Sequence, residues 1–288
     1  MRSRLVDGGS VLVVPPRPVD VDDQPIAWRV SDAGGRDRDT IIFLHGLGGS
    51  RTAWEPQLED LGDTWRCVAW DMPGYGASAP VDPLSFATIT DALVGLLDRL
   101  GVDRAHLCGL SFGGQQALHV ALAHPDRVDR LVLSDTSPAF GLDGTDPEAW
   151  KRSRLEALDA GLTPGDIAAD VLRSVAGPHF AGPDFAQAVA AFSRIDAAGL
   201  RAAVECLPSH DVVAELGSIV APTLVVVGEL DRETPRQYAD ALVAGIPEAT
   251  LEVVRGVGHL TPSEAPDRFN AIVRGFLATP DRPRPSTP

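Results

Sequence analysis

The sequence predicts an α/β fold: a mostly parallel, eight-stranded sheet flanked by helices, with a helical cap inserted between two of its strands. Three observations carry that reading. Short β-branched runs bounded by turn residues alternate with longer amphipathic segments, as in a parallel sheet covered on both faces. That alternation stops between about residues 138 and 220, where only helical patterns occur. The chain has 288 residues, 44% of them hydrophobic, which suits one large domain with a sizeable core.

In chain order, the expected strands are "SVLVV", "PIAWRVS", "TIIFLHG", "RCVAWD", "AHLCGLS", "RLVLSD", "TLVVVGE" and "TLEVVRG". The first two have no helical segment between them, so they are expected to pair as an antiparallel hairpin at one edge. Helices are expected at "SFATITDALVGLLDRLG", "GGQQALHVALAHP", "RQYADALVAGI" and "APDRFNAIVRGFLAT". In the first of these, Ile89, Ala92, Leu93, Leu96, Leu97 and Leu100 recur at helical spacing and build one apolar face. The helical interval holds "DPEAWKRSRLEALDAG", "TPGDIAADVLRSVAG" and "PDFAQAVAAFSRID". A single crossover needs only about a dozen residues, so this interval reads as a subdomain. The expected organisation is a core of residues 1–137 and 221–278, a cap at 138–220, and a disordered proline-rich tail at 279–288.

Charge and cysteine content narrow the function. The formal net charge of −15 argues against binding nucleic acid or an anionic membrane, both of which demand basic patches. Lys151 is the only lysine. Cys67, Cys108 and Cys206 lie far apart without C-x-x-C spacing, which suits a reducing compartment. The start resembles no signal peptide, and no stretch approaches the roughly 20 apolar residues of a membrane span. A cytoplasmic location is the expectation.

The chemistry is expected at "RAHLCGLSFGGQQALHVALAHPDR". Ser111 stands in a G-x-S-x-G pentapeptide after a strand pattern and before a helix pattern. Glycines two residues to either side remove the Cβ atoms that a sharp strand-to-helix elbow would bring into collision. A hydroxyl presented this way is a weak nucleophile until a base takes its proton. Among seven histidines, His259 follows the last strand and precedes the last helix, at the same sheet edge as Ser111. His119 and His124 lie on the helix after the elbow, His106 lies within a strand, and His179 and His210 fall in or near the cap. An acid must then fix the imidazole tautomer. Asp231, after "TLVVVGEL", is preferred because Ser…Asp…His order fits the sheet, with Asp135 in "LVLSDTS" as the competing acid. The oxyanion donors are expected to be the backbone N–H groups of Phe112 and of Leu47 in "LHGLGGS", with His45 orienting that loop.

Rival motifs fail on residue identity. Gly46-x-Gly48 lacks the third glycine of a dinucleotide fingerprint, since Arg51 stands there. Lys151 precedes Arg152, not the Ser or Thr of a P-loop. No His-x-x-x-His or Cys/His cluster suggests a metal. No cofactor is expected.

The segments "FLHGLGGSRTAW", "VAWDMPGYGAS", "HLCGLSFGGQQAL", "APTLVVVGELDRETP" and "GVGHLTPSEAPDRFNAIVRGFL" resemble the α/β-hydrolase superfamily, in its cap-bearing esterase and lactonase branch. The resemblance implies the α/β-hydrolase fold, with Ser111, Asp231 and His259 as nucleophile, acid and base. It implies a structural role for Asp71, in the loop Asp71 to Ser78. Within the branch, "GELDRETP" and "SEAPDRF" are similar to 3-oxoadipate enol-lactonase-like proteins, which often carry Met where this chain has Phe112. The expected activity is hydrolysis of a small-molecule ester or lactone through an acyl-serine. The alternatives are carbon–carbon bond hydrolysis, cofactor-free perhydrolysis and a non-catalytic ligand-binding member of the fold. Arg194 is the candidate for a substrate carboxylate, with Arg173 and Arg201 as further cap arginines.

Overall fold

β-Branched and aromatic runs become central strands when both their faces are covered, and Thr40–Leu44 is the clearest case, with all five residues buried. Side chains alternate along it. Ile42 and Leu44 join one apolar cluster and Ile41 and Phe43 the other, so the strand divides the core into two layers. The computed structural model describes residues 17–32 and 39–279. Its strands are β1 (Val19–Val21), β2 (Trp28–Ser31), β3 (Thr40–Leu44), β4 (Arg66–Trp70), β5 (Ala105–Leu110), β6 (Val128–Ser134), β7 (Thr223–Gly228) and β8 (Thr250–Val254). They form an eight-stranded sheet in the order β1-β2-β4-β3-β5-β6-β7-β8. Pairing is antiparallel at β1–β2 and β2–β4 and parallel from β4 onward.

The expected run "SVLVV" lies outside the described residues. The strand that pairs with β2 is Val19–Val21, in "RPVDVDDQP", a stretch that pattern reasoning passes over as turn-like. Its hold is polar: Asp20 opposes Arg29 in the ladder and takes two hydrogen bonds from that guanidinium, at 2.9 and 3.0 Å. A three-residue edge strand with two exposed residues carries no hydrophobic signal to read.

Helices cover both layers. α2 (Phe86–Leu100), α3 (Phe112–Ala123) and α8 (Arg236–Gly245) pack Leu93, Leu97, Leu118 and Leu242 into the first cluster. α1 (Glu55–Leu61) and α10 (Pro266–Leu277) pack Leu58, Phe269 and Val273 into the second, where Trp54 lies 5.0 Å from Phe43 and 6.3 Å from Phe269 between ring centres. α2 begins at a reciprocal Ser85–Thr88 capping box and ends where Gly101 takes φ +66°.

Between β6 and β7 the chain makes a helical excursion through α4 (Pro147–Asp159), α5 (Pro164–Val175), α6 (Gly182–Phe192) and α7 (Ala197–Cys206). Its two ends are bound together: Phe140 N–H donates to His210 C=O at 2.8 Å and Val212 N–H to Pro138 C=O at 2.9 Å. His210 Nε2 donates to the Ser137 carbonyl at 2.9 Å, leaving its Nδ1 to accept from His119 Nε2 at 3.1 Å. Burial depresses both imidazoles to about 4, so the pair is neutral at pH 7. A last short helix, α9 (Thr261–Glu264), leads into α10.

Candidate active site

Ser111 occupies the turn between β5 and α3 with φ +54° and ψ −118°, a conformation that a non-glycine residue rarely adopts. The flanking glycines make it attainable. A Cβ on Gly109 would stand 2.3 Å from the Gly113 carbonyl oxygen, and one on Gly113 would stand 2.0 Å from that of Leu44. The loop after β3 presses on the same elbow, because a Cβ on Gly46 would meet the Ser111 Cβ at 3.3 Å. Leu47, next in this loop, lines the same cavity as Ser111. Phe112 is the first residue of α3, so its N–H has no acceptor within the helix. His45 fixes the loop: its Nε2 accepts from Met72 N–H at 3.1 Å, leaving Nδ1 to donate to Gly46 C=O at 2.9 Å.

Three side chains from separate loops meet here. His259 Nε2 lies 2.9 Å from Ser111 Oγ, and His259 Nδ1 lies 2.9 Å from Asp231 Oδ2. Asp231 also accepts from Glu233 N–H at 2.8 Å, Thr234 N–H at 3.1 Å and the Thr234 hydroxyl at 2.8 Å. This Asx-type turn aims the carboxylate. The competing acid is engaged elsewhere. Asp135, fully buried at φ +45°, accepts from Gly228 N–H at 2.8 Å, the Ser134 hydroxyl at 2.8 Å, and Thr261 N–H and hydroxyl at 3.3 and 3.0 Å. It thereby joins the strand leading to Asp231 to the loop following His259.

A second clamp escapes sequence reasoning altogether. Glu264 accepts from Gly177 N–H at 2.8 Å and from Gly258 and Leu260 N–H at 3.0 Å each, so it brackets His259 and links its loop to the end of α5. The T-x-x-E spacing of Thr261 and Glu264 in "TPSEAPDRF" hints only at a helix start. The bonds back to residues 258 and 177 depend on tertiary structure.

Electrostatics give the three groups different protonation. Burial opposes the charge on His259, but the charge and hydrogen bond of Asp231, with Asp135 and Glu233, raise it to about 9. Burial likewise opposes ionisation of Asp231, yet His259 and the Thr234 bonds hold it below the usual carboxylate range. Asp135 is pushed up to about 7, by burial first and then by the charge of Asp231. A base acts only when neutral, so kcat/KM for an uncharged substrate is expected to rise with pH through the alkaline limb set by His259. Glu233→Gln removes one of the charges favouring the imidazolium. Its pH–rate profile is expected to move to lower pH, and an unmoved limb would contradict this account.

A cavity of about 590 Å³ opens over Ser111 and His259 between the sheet edge and the excursion. Its wall is mainly apolar, with Leu47, Phe140, Ile167, Val171, Phe192 and Leu260 among the contributors. Arg194 does not line it. This residue is exposed beyond α6, where its charge acts on Asp20, so the expected contact with a substrate carboxylate has no geometric basis. Arg201 pairs with Asp159 at 2.6 Å and Arg173 with Asp170 at 3.5 Å, and neither reaches the wall. Among the described residues, no three His, Cys, Asp or Glu side chains are gathered as a metal site requires, and no helix is long and apolar enough to cross a membrane.

The fold and this hydrogen-bonded Ser–His–Asp chain under a roofed cavity define a hydrolase-type scaffold. The chain belongs to the alpha/beta hydrolase fold family, whose description matches residues 39–266. It is 35% identical over 266 residues to "Putative carbamate hydrolase RutD" of Caulobacter sp. (strain K31), covering 84% of this chain and 91% of that protein. It is 28% identical over 258 residues to 3-oxoadipate enol-lactonase 2 of Acinetobacter baylyi, covering 88% and 94% of the two chains. The crystal structure of the enol-lactonase from Burkholderia xenovorans LB400 superimposes with a TM-score of 0.79 at 26% identity, covering 88% of this chain and 96% of that one.

Proposed function

We propose that the protein hydrolyses a small carboxylic ester or lactone through an acyl-serine intermediate. The observation that carries this reading is the pair of 2.9 Å contacts at His259, one to Ser111 Oγ and one to Asp231 Oδ2. Ser111 Oγ attacks the carbonyl carbon as its proton passes to His259 Nε2. Asp231 holds the imidazole with its proton on Nδ1 and stabilises the cation that forms. The N–H groups of Leu47 and Phe112 receive the developing oxyanion. His259 then gives its proton to the leaving oxygen, and the carbon–oxygen bond breaks. In the second half, His259 takes a proton from water, the resulting hydroxide adds to the acyl carbon, and Ser111 leaves reprotonated. The names of the relatives, a carbamate hydrolase and an enol-lactonase, support hydrolysis at a carbonyl carbon.

A fluorophosphonate is expected to label the protein once, with the adduct mapped by peptide mass spectrometry to Ser111 and abolished in Ser111→Ala. A protein of this fold acting only as a ligand receptor would give no adduct. Labelling at any other residue would remove the proposal.

A further inference from the structure

Every carboxylate and guanidinium on the cavity wall but one is engaged within the protein. Arg154 pairs with Glu233 at 2.6 Å, and Asp170 pairs with Arg173 at 3.5 Å. Asp143 accepts from the Thr145 hydroxyl at 2.7 Å and Asp166 from the Thr163 hydroxyl at 2.6 Å. The exception is Arg232. It lines the wall, is exposed, and has no ion-pair or hydrogen-bond partner among the described residues. The chain holds 40 acidic residues against 25 lysines and arginines, so a shortage of carboxylates does not explain a guanidinium left over at the site.

The turn that aims the acid also sets the place of this arginine. Asp231 accepts from Glu233 N–H at 2.8 Å and Thr234 N–H at 3.1 Å, which closes the chain around Arg232. Its Cα is one peptide step, about 3.8 Å, from that of Asp231. Asp231 binds Nδ1 of His259 while Ser111 lies on Nε2, so the turn stands beyond the imidazole as seen from the nucleophile. In the proposed mechanism Nε2 protonates the leaving oxygen. The alcohol half of an ester then departs on the side of His259, the side on which Arg232 stands.

We infer that Arg232 is a specificity-determining residue that pairs with a carboxylate carried on the leaving alcohol of the substrate. This rests on the proposed hydrolase reading and narrows it to esters of hydroxycarboxylic acids. Hydrolysis of such an ester releases the acyl acid and the hydroxy acid. The planar guanidinium fork suits a carboxylate, which it can hold through two parallel N–H···O bonds. Asp143, Asp166, Asp170 and Glu233 leave the surrounding wall negative, which disfavours a doubly charged phosphate more than a single carboxylate. Because Arg232 is exposed, water and salt weaken the pair, and its contribution to kcat/KM is expected to be about tenfold.

The test uses two pairs of esters with the intact protein. The butyrate esters of 3-hydroxybenzoate and 3-hydroxybenzamide differ in charge on the leaving group. Phenyl adipate and phenyl hexanoate differ in charge at the end of the acyl chain. In Arg232→Gln, the benzoate-to-benzamide ratio of kcat/KM is expected to drop about tenfold, mainly through KM, with the adipate-to-hexanoate ratio unmoved. Arg232→Lys keeps the charge and is expected to restore part of the first ratio, and high salt is expected to shrink that ratio in the parent. Both substitutions are at an exposed side chain, and matching melting temperatures would confirm that the fold is kept. An unmoved benzoate-to-benzamide ratio in Arg232→Gln would overturn the inference, as would an Arg232→Lys protein no better than Arg232→Gln. A drop in the adipate-to-hexanoate ratio instead would place the carboxylate on the acyl half and refute the leaving-group assignment. Failure of the underlying hydrolase reading looks different: no ester turns over and no fluorophosphonate adduct forms.

Discussion

Ser111→Ala is expected to lower turnover of an activated aryl ester by about a million-fold, leaving a residual rate from the oxyanion donors and binding alone. The size of the effect follows from how the side chains meet. Ser111 Oγ is hydrogen-bonded to the imidazole that takes its proton in the proposed mechanism, and that imidazole is bonded to Asp231, so the three are expected to act as one unit. His259→Ala should therefore cost about as much as Ser111→Ala, and the double variant little more than either single one. Independent contributions would instead multiply. The protein should remain folded, because alanine keeps the Cβ that the elbow at φ +54° already accommodates and removes only the hydroxyl. Comparable melting temperatures with a collapse in turnover would separate chemistry from stability. Substantial retained activity in Ser111→Ala would mean that another group attacks the ester.

Much of this arrangement is legible in the sequence because it is built from local rules. The G-x-S-x-G elbow needs glycine where Gly109 and Gly113 would strike neighbouring backbone, so the requirement is written directly into residue type. The order of strands and helices follows from period and length: β3, β4, β5, β7 and β8 lie within the runs expected of them, and β6 begins at Val128, two residues before its run. His259 and Asp231 are placed by a further rule, that side chains at the carboxyl ends of parallel strands share one edge. What the sequence hides is long-range and polar. β1 is held by Asp20 and Arg29 rather than by hydrophobic alternation. Glu264 clamps backbone groups at residues 177 and 258 through bonds that no local pattern encodes. Arg194 shows the opposite error: an arginine among helical residues reads equally well as wall or surface, and only the packing of α6 decides.

The two buried aspartates at this edge are expected to respond very differently to the same substitution. Asp231→Asn is expected to reduce kcat by about ten-thousandfold, because an amide facing Nδ1 can donate to it. The imidazole then carries its proton on Nε2, toward Ser111, and cannot accept another from the hydroxyl. Asp135 touches neither His259 nor Ser111 in its hydrogen bonding. Its four bonds run from Gly228, Ser134 and Thr261, and every partner is a donor. Asparagine there would set its own amino group against a donor, at a cost of about 1–3 kcal/mol in stability. It would also remove a charge that helps raise His259. Asp135→Asn should therefore lower the melting temperature, shift the kcat/KM limb to lower pH, and leave kcat on the plateau within about tenfold of the parent. Stopped-flow burst kinetics on both variants across pH would distinguish the roles. A ten-thousandfold loss in Asp135→Asn with little change in Asp231→Asn would exchange them, making Asp135 the acid that orients the base. The 2.9 Å contact from Asp231 to Nδ1 argues for the first outcome, since orientation of the imidazole requires a partner on the nitrogen that faces away from the nucleophile.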